Sequence, residues 1–70
     1  EITFILSKPA DVTLAVYNIC GREMVLLLDE FKGAGEHRVR FDASGLGSGI
    51  YFYQLKAGQE RAVKKMICTR

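Results

Sequence analysis

The 70-residue sequence has no tryptophan, one proline, one histidine and two cysteines, and its longest apolar run is the stretch from Met24 to Leu28. Each scarcity excludes something. A bilayer-spanning helix needs about 20 predominantly apolar residues, so no membrane span is expected. Two cysteines, Cys20 and Cys68, are too few for a disulfide framework. The simplest reading makes both of them small buried hydrophobes, with a single disulfide between them as the alternative. His37 is the lone imidazole, and neither cysteine stands in a CxxC or C-x-H spacing, so neither a metal site nor a cofactor is expected. The net charge is only +2, too weak for a dedicated nucleic-acid binder. An initiator methionine and a signal peptide are also missing, because Glu1 opens directly into a strand-like pattern; the chain reads as a piece of a longer precursor.

What is present is an ordinary globular balance, 49% hydrophobic and 26% charged, which argues against disorder. Seventy residues support one domain, residues 1–70, with a small core and a thin stability margin. The charge is unevenly spread. Lys56, Arg61, Lys64, Lys65 and Arg70 against Glu60 give the last 15 residues +4, leaving −2 for the rest. Such a basic end suits a receptor or an acidic surface, or simply keeps a last strand soluble and blunts its edge.

The dominant hydrophobic period is two, the mark of strands. Ile2, Phe4 and Leu6 alternate with Thr3 and Ile5, and Lys8 to Asp11, with Pro9, breaks the run. Val12, Leu14 and Val16 alternate with Thr13, Ala15 and Tyr17. Asn18 to Arg22 forms a turn around Gly21, a residue suited to positive φ. Glu23 to Asp29 is too short for a stable helix and is read as a strand with room for a bulge, followed by a loop from Glu30 to Gly35. His37, Val39 and Phe41 mark another half-buried strand. Asp42 to Gly49 is a glycine-rich connection, Ile50 to Leu55 an aromatic strand, Ala57 to Gln59 a turn at Gly58, and Arg61 to Cys68 the last strand. Six or seven short strands in this order predict an all-β fold, a small antiparallel β-sandwich without helices.

Candidate chemistry is sparse. His37 lies on an apolar strand face with no nucleophile or orienting acid in an evident triad. Ser48 sits in Gly45-Leu46-Gly47-Ser48-Gly49, which departs from G-x-S-x-G at Leu46 and feeds a strand where a nucleophile elbow feeds a helix. Gly45 is therefore read as a turn residue. Asp29 and Glu30 are adjacent and point to opposite faces. Asp42 ends a strand before Ala43 and Ser44 and suits an Asx-type turn. A stripe of Tyr51, Phe52 and Tyr53 is the kind of surface that stacks sugars, although in so small a sandwich it is read as core. The residues thus point to a binding, scaffolding or addressing module and away from an enzyme.

The motifs Lys8-Pro9-Ala10-Asp11-Val12-Thr13-Leu14-Ala15-Val16-Tyr17-Asn18, Gly21-Arg22-Glu23-Met24, Gly33-Ala34-Gly35-Glu36-His37, Phe41-Asp42-Ala43-Ser44-Gly45-Leu46, Ser48-Gly49-Ile50-Tyr51-Phe52-Tyr53-Gln54-Leu55 and Lys64-Lys65-Met66 follow one another in an informative order. Together they resemble the type A C-terminal sorting domain of cargo for the type IX secretion system. They are also similar to the immunoglobulin-like domain of the flagellar hook-capping protein. The resemblance implies an immunoglobulin/fibronectin-III-like sandwich, with Gly33, Gly35 and Gly49 at turns. It implies an upstream passenger, an outer-membrane translocon and its cargo receptor as partners, and a path through the periplasm to the cell surface or beyond. Lys64, Lys65, Met66 and Arg70 are the expected recognition residues. An isolated chain is expected to be a monomer or a weak strand-paired dimer. The alternative is a structural interaction module, either a hook-cap-like scaffold or an accessory domain of a secreted hydrolase.

Overall fold

A computed structural model describes residues 1–42 and 45–69. All six elements are strands: β1 (Ile2–Leu6), β2 (Ala10–Asn18), β3 (Glu23–Lys32), β4 (Gly35–Val39), β5 (Gly49–Ala57) and β6 (Glu60–Cys68). They form two antiparallel sheets, a pair β1-β4 and a four-stranded sheet in the order β3-β2-β5-β6. The two hairpins β2-β3 and β5-β6 are local, whereas β1-β4 and β2-β5 are made between distant segments. The chain therefore crosses between the sheets three times, and the result is the expected small β-sandwich.

The alternation of apolar residues explains the layering. Ile2, Phe4 and Leu6 are buried along β1, and Val12, Leu14 and Val16 along β2, the last three essentially fully. One half of the core joins Phe4 and Leu6 to Val12, with Leu28, Val39, Leu55 and Ala57 packed against them. Here the two-stranded sheet covers the four-stranded one. The other half joins Val16, Leu46 and Tyr51, with Val25, Leu27, Phe41, Tyr53, Met66 and Cys68 around them. No strand of the small sheet contributes to this half. Its cover is the β4–β5 connection, through Phe41 and Leu46. Leu46 is only 5% exposed, so a residue read as part of a glycine-rich turn is a core side chain.

Several boundaries differ from the sequence expectation. β3 continues through Glu30, Phe31 and Lys32, and the expected loop from Glu30 to Gly35 shrinks to Gly33 and Ala34. Ladder pairing with β2 decides this, because Phe31 and Lys32 register with Asp11 and Ala10. The expected bulge is present twice, as register shifts between Leu14 and Ala15 and between Val16 and Tyr17. These shifts let Val25, Leu27 and Leu28 all contribute to the core from one strand, which strict alternation forbids. The first break falls at residues 7–9, and β2 begins at Ala10.

The cysteines also differ from the expected pair of buried hydrophobes. Both are free thiols, and Cys20 is exposed. It lies in the β2–β3 turn, where the Asn18 carboxamide accepts the amides of Cys20 and Arg22, each at 2.9 Å. The Gly21 amide donates to the Asn18 carbonyl at 2.9 Å, with Gly21 at φ 83°. The side chain of residue 20 is directed by this turn and not by a strand face. Cys68 is half-buried and fits the expectation better.

Candidate functional site

The strand that carries most of the expected recognition residues is β6. The two-residue turn of Gly58 and Gln59 sets it against β5, with Gly58 at φ 62° in the position that a type II′ hairpin turn reserves for glycine. β6 is a terminal strand of its sheet, with β5 as its ladder neighbour. Its outer edge therefore presents backbone N–H and C=O groups to solvent. Of its nine residues only Met66 and Cys68 are even half-buried.

The register separates residues that the sequence places side by side. Lys64 stands opposite Tyr53 and Lys65 opposite Phe52. Lys64 therefore shares the inward side with Met66, and Lys65 shares the outward side with Arg61, Val63 and Ile67. Both lysines are exposed. The pair is thus two charges on opposite faces and not one basic patch. Met66 anchors the strand to the core half built around Val16 and Tyr51. Arg70 lies outside the described residues.

The outer face of the four-stranded sheet is more apolar than the sequence suggested. Ala15 is buried on this side, flanked by Leu26 of β3 and Gln54 of β5. Around it Leu26 is 52% exposed, Val63 56% and Ile67 67%. Leu26 is exposed on this face, whereas its neighbour Val25 packs inward. Tyr51 is buried, so the aromatic stripe is split: Tyr51 and Tyr53 serve the core, while Phe52 is half-buried on the outer face.

The turn residues fall into two groups. Gly21, Gly35, Gly49 and Gly58 have positive φ, at 83°, 123°, 154° and 62°, a region in which an L side chain is strained. Gly33 and Gly45 lie in connections without it. The expected Asx turn at Asp42 involves Ala43 and Ser44, which lie outside the described residues. His37 donates from Nε2 to the Gly33 carbonyl at 2.7 Å and stacks on Phe4 with ring centroids 5.4 Å apart. That arrangement closes the β3–β4 turn over β1. The ion pairs Lys32–Glu30 at 2.7 Å and Arg38–Glu36 at 3.2 Å are each formed within one strand at the surface. Among the described residues, no three His, Cys, Asp or Glu side chains gather in a way that could hold a metal ion. Among the described residues no helix is long and apolar enough to cross a membrane.

The geometry is that of a small sandwich with an uncovered edge strand and a partly apolar outer sheet face. The family follows from the sequence as a whole: residues 1–69 match the family model of the secretion system C-terminal sorting domain, and the chain belongs to that family. The family is that of type IX secretion, and it is a sorting family, not a catalytic one. No curated protein and no solved structure matches the chain. The likeness to the hook-capping protein therefore rests on the quoted motifs alone.

Proposed function

We propose that residues 1–70 act as one non-catalytic unit that directs an upstream passenger across the outer membrane through the type IX secretion system. The passenger reaches the periplasm first, and the outer-membrane translocon with its cargo receptor then reads this domain and delivers the protein to the cell surface or the medium. The observation that carries the proposal is the family match over residues 1–69.

The structure supports a particular mode of reading. β6 offers an open edge to which a receptor strand can add by main-chain hydrogen bonding. Lys64 and Lys65 supply charge on that strand, and Met66 holds it in place from the core side; Arg70, outside the described residues, is the fourth residue proposed for recognition. A sandwich suits the task because it closes its own core and so can be appended to any passenger without sharing one.

The test is a transport assay. The chain, with a short upstream linker, is fused to the C-terminus of a fluorescent periplasmic reporter in a bacterium that has a type IX system. Reporter at the surface and in the medium, lost when the last ten residues are deleted, is the expected result. Reporter retained in the periplasm by the intact, folded domain refutes the proposal.

A further inference from the structure

The two edges of the four-stranded sheet carry opposite charge. β3 has Glu23, Asp29 and Glu30 against Lys32, a net −2; β6 has Arg61, Lys64 and Lys65 against Glu60, a net +2. Both strands are terminal in the sheet, and they are ten and nine residues long. Because all the pairings are antiparallel, β6 of one copy and β3 of another placed beside it in the same orientation also run antiparallel.

The register specifies what such a juxtaposition brings together. On the outer face, one row across the sheet reads Asp29, Thr13, Lys56, Arg61. The next reads Leu26, Ala15, Gln54, Val63, and the third Glu23, Tyr17, Phe52, Lys65. Two rows begin with an acid and end with a base; the row between them begins and ends with an exposed aliphatic residue. Extending each row into a neighbouring copy sets Arg61 beside Asp29, Val63 beside Leu26, and Lys65 beside Glu23 of the next copy. The first contact also relieves a conflict within the chain, since Lys56 and Arg61 are direct cross-strand partners of like charge. One inner row runs from Glu30 to Glu60 and opposes the arrangement, but Glu30 is already paired with Lys32 at 2.7 Å.

We propose that the chain associates with further copies of itself head to tail, β6 on β3, into one continuous sheet. The interface is heterologous, so each added copy leaves the same two edges open and growth continues with concentration. β6–β6 pairing is disfavoured, because it sets lysine against lysine near the strand centre. The inference does not depend on the sorting role, although it competes for the edge assigned to a receptor above.

The test is sedimentation of the purified chain over a concentration series. The expected weight-average mass rises above the 7.8 kDa monomer by about 1 mM. It falls back in about 1 M salt, where charges are screened beyond roughly 3 Å. R61D/K65E and E23K/D29R each turn both pairs into like charges and should weaken association by roughly tenfold or more. An equimolar mixture of the two variants restores opposite charges at every junction and should restore association. A wild-type monomer throughout, either variant associating as wild type does, or a mixture that stays monomeric overturns the proposal. Circular dichroism checks that the variants fold. If either does not, L26C/V63C in a C20S/C68A background decides: the two thiols lie on opposite edges of one sheet, so oxidation to a disulfide ladder supports the arrangement, and monomer alone refutes it.

Discussion

The hydroxyl of Tyr51 donates a 2.9 Å hydrogen bond to the carbonyl of Gly47, tying the connection between β4 and β5 to the strand it is about to enter. The same connection buries Leu46 against Val16 and Tyr51. Tyr51 thus serves twice, as core surface through its ring and as a clamp through its phenol.

Removing the clamp and removing the plug should cost different amounts. Tyr51→Phe loses one hydrogen bond whose acceptor stays accessible to water, a loss of about 0.5–1.5 kcal/mol. Leu46→Ala loses a buried aliphatic side chain, about 2–4 kcal/mol. Against a total stability of roughly 4–10 kcal/mol for a chain this long, the second is serious. Ile67→Ala, on the exposed outer face, should stay within about 0.5 kcal/mol. Urea unfolding midpoints order the three variants, and a Leu46→Ala as mild as Ile67→Ala would show that the connection is not part of the core.

The β2–β3 turn depends on one carboxamide. Asn18→Ala removes the acceptor of the Cys20 and Arg22 amides and should cost about 1–2 kcal/mol. Gly21→Ala meets no steric obstacle, yet forces φ 83° on an alanine and should cost about 1 kcal/mol. The two act on one turn, so the double variant should cost less than the sum of the singles. Strict additivity would mean that the carboxamide and the glycine act independently.

The two lysines can be separated by face. Lys65 shares its side of the sheet with Val63 and Ile67, while Lys64 stands beside Tyr53. If the receptor takes the edge together with the outer face, Lys65→Glu should lower reporter export several-fold and Lys64→Glu should leave most of it, with an unchanged circular dichroism spectrum in both. Equal losses would place the recognition on the edge itself, and unchanged export in the double variant would remove charge from the account.

Thiol labelling should distinguish the cysteines. Cys20 is exposed and Cys68 half-buried against the core. A maleimide should therefore modify Cys20 first in the native protein and both at similar rates in denaturant. Similar rates in the native state would contradict the packing of Cys68.

Much of this was legible in the sequence, and the exceptions have a common cause. Period-two alternation located β1, β2, β4 and β5, and with them Phe4, Leu6, Val12, Leu14 and Val16 in the core. The Asn18–Gly21 turn and the Gly58 turn follow from local chemistry and could be read directly. What alternation could not reveal was decided by distant partners. The apolar run in β3 left room for a bulge, but the number and places of the bulges depend on how β2 spaces its inward residues. Leu46 stands among glycines and gains its burial only because the small sheet stops short. The opposite facing of Lys64 and Lys65 was implicit in any strand reading; what the register adds is the neighbour that each of them meets.

The two halves of the core are closed by different means, and they should not open together. Around Val12 the cover is laddered chain, so exposing it means separating β1 and β4 from the sheet beneath. Around Val16 the cover is Phe41 and Leu46, which belong to no strand, and they can come away while every strand pair remains intact. Local opening free energies should therefore be graded along the length of the sandwich. The amide protons of Phe41 and Leu46 would exchange with solvent long before those between β2 and β5, in a molecule whose circular dichroism still reports a complete fold.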